Sequence, residues 1–316
     1  MIDGFLVHHI STIQEIIAVF DKNESLIDIF FQRKNVLNLG EVVKAKIIAF
    51  NKLLKGYFAL ATDKNLSVFI PSNETYVLGE TVCVEITKEA RFGKDATGVF
   101  TDKDVFLPNL KKVVLEKYPF EFKNNFSLSS YIEEALDTTI SFENGAELSV
   151  ERTNAVWAID VDSGKSTSSL FEINQKSISY IKRQIQLKNI AGMILIDFAG
   201  FKSVKEKAIL LKDIKNAFKD DSRTKIYDFT KMNLLEIKRA RTSASLFDVC
   251  YTKEGFKTFE YVCLCIKEML LATRFGKPVL EMHPAYARLL PDEIKNYVQI
   301  KQNLNVQLDF FDLREE

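Results

Sequence analysis

The chain is poor in cysteine: Cys83, Cys250, Cys263 and Cys265 are the only four in 316 residues. That is no disulfide scaffold, and reduced thiols in a cytoplasmic protein are the expectation. Glycine (12) and proline (6) are also scarce beside 25 phenylalanines. With abundant Lys, Ile and Asn, this resembles the coding bias of an AT-rich genome, so a surface Lys or Asn need not carry meaning. No apolar run approaches the ~20 residues of a membrane span. The N-terminal MIDGFLVHHI lacks the basic-then-apolar pattern of an export signal. An excess of either charge is missing too: Lys+Arg and Asp+Glu both number 43. This excludes a uniformly basic nucleic-acid coat but not a local basic face. The 47% apolar content excludes wholesale disorder, and the length suggests two or three small domains.

What is present is organised in blocks. Residues 1–35 read as an apolar alternation, a helix over Ser11–Phe20 and a strand over Ser25–Phe31. In residues 40–104, GEVVKAKIIAF, GYFALATDKNLSVFIP and GETVCVEITKEA are β-branched and aromatic runs separated by turn residues, the pattern of a small β-barrel. Residues 105–125 read as a connector. Residues 120–159 are acidic, whereas residues 160–241 hold 17 Lys and Arg against 10 Asp and Glu. In the basic part, AVWAIDV and MILIDF are continuous apolar runs, expected as strands buried on both faces. Phe171, Ile178, Ile181, Ile185 and Ile190 follow helical spacing between them, as do Val204, Ala208, Leu211, Ile214 and Phe218 after the second. KIYDF then reads as a strand and LLEIKRAR as a short basic helix, giving an α/β layer. Residues 256–316 read as a small α+β unit: a helix through YVCLCIKEMLLAT, the strand PVLEM, a helix near 284–290 and the strand NVQLDFF.

The sharpest feature is a matched pair of acids. AVWAID ends in Asp160, followed at two residues by Asp162, and MILID ends in Asp197. Ligand sites of open α/β sheets gather at the carboxyl ends of strands. If the two strands are neighbours, a spacing of ~4.8 Å lets Asp160 and Asp197 share one cation. Two or three carboxylates suit Mg²⁺, which can polarise a phosphodiester. The competing reading is that such acids cap the next helix or solvate a turn. Asp162-Ser163-Gly164-Lys165 can likewise be a plain turn, and it lacks the preceding glycine of a phosphate-binding loop.

The ordered strings AVWAIDVDSGKST, NIAGMILIDF and NLLEIKRARTSASL resemble the catalytic core of the ribonuclease E/G family. SYIEEALDTTISFENGAELSVERTNA resembles the lead-in to its first strand, PVLEMHPAYARLL its small domain, and residues 40–101 with RFGKDATGVFTD its RNA-binding OB domain. The resemblance implies α/β and β architecture: an OB-fold β-barrel, an α/β DNase I-like catalytic domain and a small α+β C-terminal domain. The implied boundaries are 1–39 for an RNase H-like remnant, 40–104 for the OB fold, 105–143 for a connector and acidic helix, 144–250 for the catalytic domain and 256–316 for the small domain. It also implies Mg-dependent hydrolysis of single-stranded RNA in RNA processing or decay, leaving 5′-phosphate and 3′-hydroxyl ends. Asp160 and Asp197 match the metal-binding carboxylates, one Mg²⁺ per active site. Asp162 matches an Asn that orients the reaction. Phe58 and Phe69 match base-stacking aromatics, a contact worth ~1–3 kcal/mol per base; read from composition alone they are barrel core. Lys94 matches a basic residue near the backbone. Arg239 and Arg241 match paired arginines suited to phosphate, the plainer alternative being a solvated helix face.

The departures from the family pattern shape further expectations. Only residues 105–125 fill the place of the family's 5′-monophosphate sensor, so a preference for 5′-monophosphorylated RNA is expected to be lost. Where the family has a zinc-linking Cys-Pro-x-Cys, this chain has DVCYTKEG, with Cys250 alone. No structural zinc is therefore expected, and any homodimer would form without a zinc link. Cys263 and Cys265 read as helix core, His283 as structural, and His8 and His9 as surface. The rival expectation is a catalytically inactive RNA-binding or ribosome-assembly accessory protein on the same scaffold.

Overall fold

The computed structural model describes residues 3–91, 94–124, 126–273 and 277–314. The chain forms two compact units, Met1–Ile132 with Thr242–Glu316, and Glu133–Arg241. The second begins and ends earlier than the 144–250 stretch drawn from the sequence, and the first unites the 1–39, 40–104 and 256–316 stretches with most of 105–143.

The first unit opens with an antiparallel meander of β1 (Gly4–Ile10), β2 (Gln14–Asp21) and β3 (Leu26–Arg33). The helix expected over Ser11–Phe20 is thus a strand. Ser11 imitates a helix cap, but its hydroxyl accepts the Gln14 N–H while its own N–H donates to the Gln14 carbonyl, closing a tight turn. The run Ile16-Ile17-Ala18-Val19-Phe20 is buried throughout, so no polar face marks a helical period, and β-branching favours the strand.

Next come β4 (Val42–Asn51), β5 (Gly56–Ala61), β6 (Leu66–Pro71), β7 (Thr81–Lys88) and β8 (Ala96–Phe100), closed as a barrel in the order β4-β5-β6-β8-β7. Alternate residues such as Val43, Ala45, Tyr57, Ala59, Val68 and Ile70 fill it, the OB-like architecture the sequence pattern suggests. Residues 105–125 are more than a connector. They form α1 (Leu110–Lys117), capped by the Asn109 side chain, and β9 (Glu121–Lys123), which joins β1 in parallel. Leu110 and Val114 pack on Leu6, Ile17 and Val19, which holds the helix against the meander.

After α2 (Ser129–Leu136) the second unit builds one sheet from β10 (Thr139–Ser141), β11 (Glu147–Arg152), β12 (Val156–Asp162), β13 (Gly192–Asp197), β14 (Thr224–Phe229) and β15 (Leu235–Arg239). The order is β10-β11-β12-β13-β15-β14, with β12 and β13 parallel. Helix α3 (Leu170–Leu187), started by a Ser169–Glu172 capping box, provides the crossover, and α4 (Val204–Ala217) packs beside it. Two expectations are corrected. LLEIKRAR is not a helix: Leu235, Ile237 and Arg239 are buried while Glu236 and Lys238 are exposed, a period of two that builds β15. Nor are AVWAIDV and MILIDF buried on both faces. Trp157, Ile159, Val161, Ile194 and Ile196 are buried, whereas Asp160, Asp162, Met193 and Asp197 on the other side are exposed.

The chain returns to the first unit through α5 (Leu246–Cys250), α6 (Phe259–Ala272), β16 (Val279–Met282), α7 (Pro284–Leu289), α8 (Asp292–Lys295), β17 (Gln299–Gln302) and β18 (Phe311–Arg314), with the sheet ordered β17-β16-β18. The strand expected over NVQLDFF starts only at Phe311, because local turns occupy residues 303–310. No helix among the described residues is long and apolar enough to cross a membrane.

Candidate functional site

The site is built on the exposed face of the second unit's sheet. Parallel pairing of β12 and β13 sets Asp160 directly opposite Asp197, neighbours at the ~4.8 Å spacing of adjacent strands. Both are exposed. On the other side of β12, the antiparallel β11 brings Ser149 opposite Asp160 and Glu147 opposite Asp162. Partial burial, then the charges of Asp197, Asp162 and Glu151, raise the Asp160 carboxyl above its ordinary range. Like charges so placed disfavour joint ionisation unless a cation joins them. Among the described residues no group of three or more His, Cys, Asp or Glu could hold a metal ion; the donor set on offer is the carboxylate pair.

Asp162 has a local partner. Its Oδ1 accepts the Gly164 N–H at 2.6 Å, so residues 162–165 are a turn, and one carboxylate oxygen is spent in it. Gly164 sits at φ +51°, where a Cβ would lie 2.5 Å from the Gly145 carbonyl oxygen; only glycine fits there. On the other strand, buried Asn174 of α3 fixes the segment after Asp197: its Oδ1 accepts the Ala199 N–H and its Nδ2 donates to the Gly200 carbonyl, both at 3.0 Å. Sequence reasoning missed Asn174, which looks like one more polar helix residue until the loop closes on it. It also missed Glu147, whose position depends on the β11 register.

In the first unit, Phe58 and Phe69 face each other across β5 and β6 with ring centroids 5.2 Å apart. Both are half-buried and lie outside the barrel core, which overturns the core reading that composition suggested. Lys94 is exposed and bridges to Arg91; residues 92 and 93 of RFGKDATGVFTD lie outside the described residues.

The two arginines separate. Arg239 is 2% exposed. Its Nε meets Asp221 at 2.8 Å, and its Nη1 donates to Asn189 Oδ1 and the Ile190 carbonyl. The phosphate contact expected of it is therefore corrected: the guanidinium is turned inward because β15 alternates and position 239 falls on the helix-covered face. Arg241 is half-buried.

Cys250, Cys263 and Cys265 are buried, and burial holds the Cys250 and Cys263 thiols far above their ordinary value. His283 caps α7, its Nδ1 accepting the Ala285 N–H. His8 and His9 are not simply surface residues. His8 meets Glu15 at 2.7 Å, and burial followed by the Lys267 charge lowers His9 to about 4.

Comparison with known proteins bears on the same region. The sequence profile of the ribonuclease E/G family matches residues 94–242. Ribonuclease G of Haemophilus influenzae is 30% identical over 179 residues, 52% of this chain and 36% of that protein. Ribonuclease G of Escherichia coli K12 is 26% identical over 175 residues, 51% of this chain and 34% of that one. Ribonuclease E of Buchnera aphidicola is 26% identical over 187 residues, 55% of this chain and 19% of that protein. The matched region thus spans about a third or less of these relatives. A solved multidomain protein with nucleic acid binding domains from Streptococcus pneumoniae overlaps 41% of this chain and 44% of its own, at 12% identity and a TM-score of 0.19, too slight to bear on the fold.

Proposed function

Because the ribonuclease E/G family profile matches residues 94–242, we propose that the chain is an endoribonuclease hydrolysing phosphodiesters of single-stranded RNA to 5′-phosphate and 3′-hydroxyl ends. One observation supports this above the others: Asp160 and Asp197 face each other in register on an exposed sheet face. A pair of hard carboxylate donors fits Mg²⁺, which binds through one or two carboxylates and keeps several waters. Asp160 and Asp197 would hold one such ion, and it would supply Lewis-acid polarisation of the phosphate and an acidified water. Asp162, pinned by Gly164, directs its remaining oxygen by turn geometry rather than by a free rotamer. Phe58 and Phe69 offer sequence-tolerant stacking surfaces for bases, and Lys94 and Arg241 offer charge to the backbone. Arg239 takes no part in binding.

The test is incubation of the full chain with an end-labelled, unstructured RNA and Mg²⁺. Internal cuts with 5′-phosphate ends, equal on 5′-hydroxyl and 5′-monophosphorylated substrates and absent in Asp160→Asn, are expected. RNA binding without cutting would replace the enzyme by a protein that only holds RNA.

A further inference from the structure

The exposed sheet face of the second unit extends beyond the carboxylate pair. Four residues back along β13 from Asp197, Met193 is paired with Lys238 of β15, and Lys238 is paired in turn with Lys225 of β14. Met193, Lys238 and Lys225 are all exposed. At ~3.3 Å per residue they lie ~13 Å from the Asp197 row. Like charges directly opposite each other across two strands oppose the pairing, yet neither lysine forms an ion pair among the described residues. Beside them Tyr227 is 39% exposed, with the Lys225 Nζ 4.9 Å from its ring centre. Between the lysines and the aspartates, Ala158 and Leu195 are half-buried and apolar, and half-buried Val156 stands beside Met193 in the lysine row. Exposed Glu236 is paired with Leu195, and exposed Glu151 with Ala158.

We infer that Lys225 and Lys238 form a phosphate-binding subsite for single-stranded RNA, holding the backbone a few nucleotides from the bond presented to Asp160 and Asp197. The inference rests on the proposed function. Two lysines at directly paired positions on one exposed face suit a phosphate between their ammonium groups, and the anion relieves the repulsion of the pair. Tyr227 adds a π-face on which a neighbouring base stacks. The apolar stretch along β12 and β13 gives the chain between the two ends a surface without competing cations. Glu236, the nearest carboxylate on the same face of β15, opposes the subsite and keeps phosphate from settling short of it.

The experiment is binding of fluorescein-labelled oligouridylate to the full chain across a NaCl series in EDTA, so that neither metal nor cleavage enters. For the double variant Lys225→Gln/Lys238→Gln, the slope of log affinity against log salt is expected to fall by about 0.7, the value for one phosphate contact on a single strand. Lys225→Arg/Lys238→Arg should restore it, and Glu236→Gln should tighten binding. Relief of the like-charge pair leaves the melting temperature of the glutamine variant equal or higher, which separates lost binding from lost folding. An unchanged slope in that variant overturns the subsite even if the protein cleaves RNA. Failure of the wild type to bind at low salt overturns both the subsite and the proposed function.

Discussion

At the scale of single residues, identity and role come apart. Arg239 and Arg241 read as a pair in the sequence, but strand alternation sends Arg239 to the interior, where it meets Asp221. Breaking a buried pair leaves an uncompensated charge and costs about 3–5 kcal/mol. Arg239→Leu should lose about 3 kcal/mol in urea unfolding, the low end because Arg223 stays within 3.7 Å of Asp221. A variant as stable as wild type but weak in RNA binding would restore the phosphate reading. Lys188 is a second buried cation among the described residues: it is fully buried and donates to the Asp137 carbonyl, and burial lowers it to about 8. The unfolded chain therefore binds more protons than the folded one between about 8 and 10.5, and stability rises with pH across that window. In Lys188→Met that rise should vanish from pH-resolved denaturation curves; an unaltered rise would assign it to other groups.

At the scale of elements, legibility followed periodicity. Residues with a clear polar face were placed from sequence: α3, α4 and the barrel strands all fall where spacing puts them. The failures are short segments whose partners lie elsewhere. A run such as Ile16–Phe20, buried on every side, carries no period. LLEIKRAR has apolar residues at both strand and helix spacing, and pairing with β13 decides in favour of the strand. The carboxylate pair was legible because both acids end apolar strands, and parallel pairing then brings such ends together. Glu147, Lys225 and Lys238 were not, because antiparallel register cannot be counted from sequence. The turn after β12 gives a direct check. Gly164→Ala places a methyl group 2.5 Å from the Gly145 carbonyl in a left-handed backbone. A loss of about 1–3 kcal/mol in stability should come with impaired RNA cleavage, through displacement of Asp162. Full activity with unchanged stability would mean that the turn does not hold Asp162 in place.

At the scale of the whole molecule, the first unit contains residues from both ends of the chain, with the second unit's sequence inserted between Ile132 and Thr242. The aromatic pair belongs to one unit and the carboxylate pair to the other, so the residues proposed for binding and for chemistry are divided along the sequence. The facing aspartates are the proposed centre of hydrolysis. The most direct measurement is the rate of single-stranded RNA cleavage against Mg²⁺ concentration, for wild type and Asp197→Asn, with RNA affinity measured alongside in EDTA. Cleavage that saturates with Mg²⁺ in the wild type and falls at least a hundredfold in the variant, at undiminished RNA affinity, is expected. Cleavage that persists in Asp197→Asn, or that ignores Mg²⁺, would contradict hydrolysis at these aspartates.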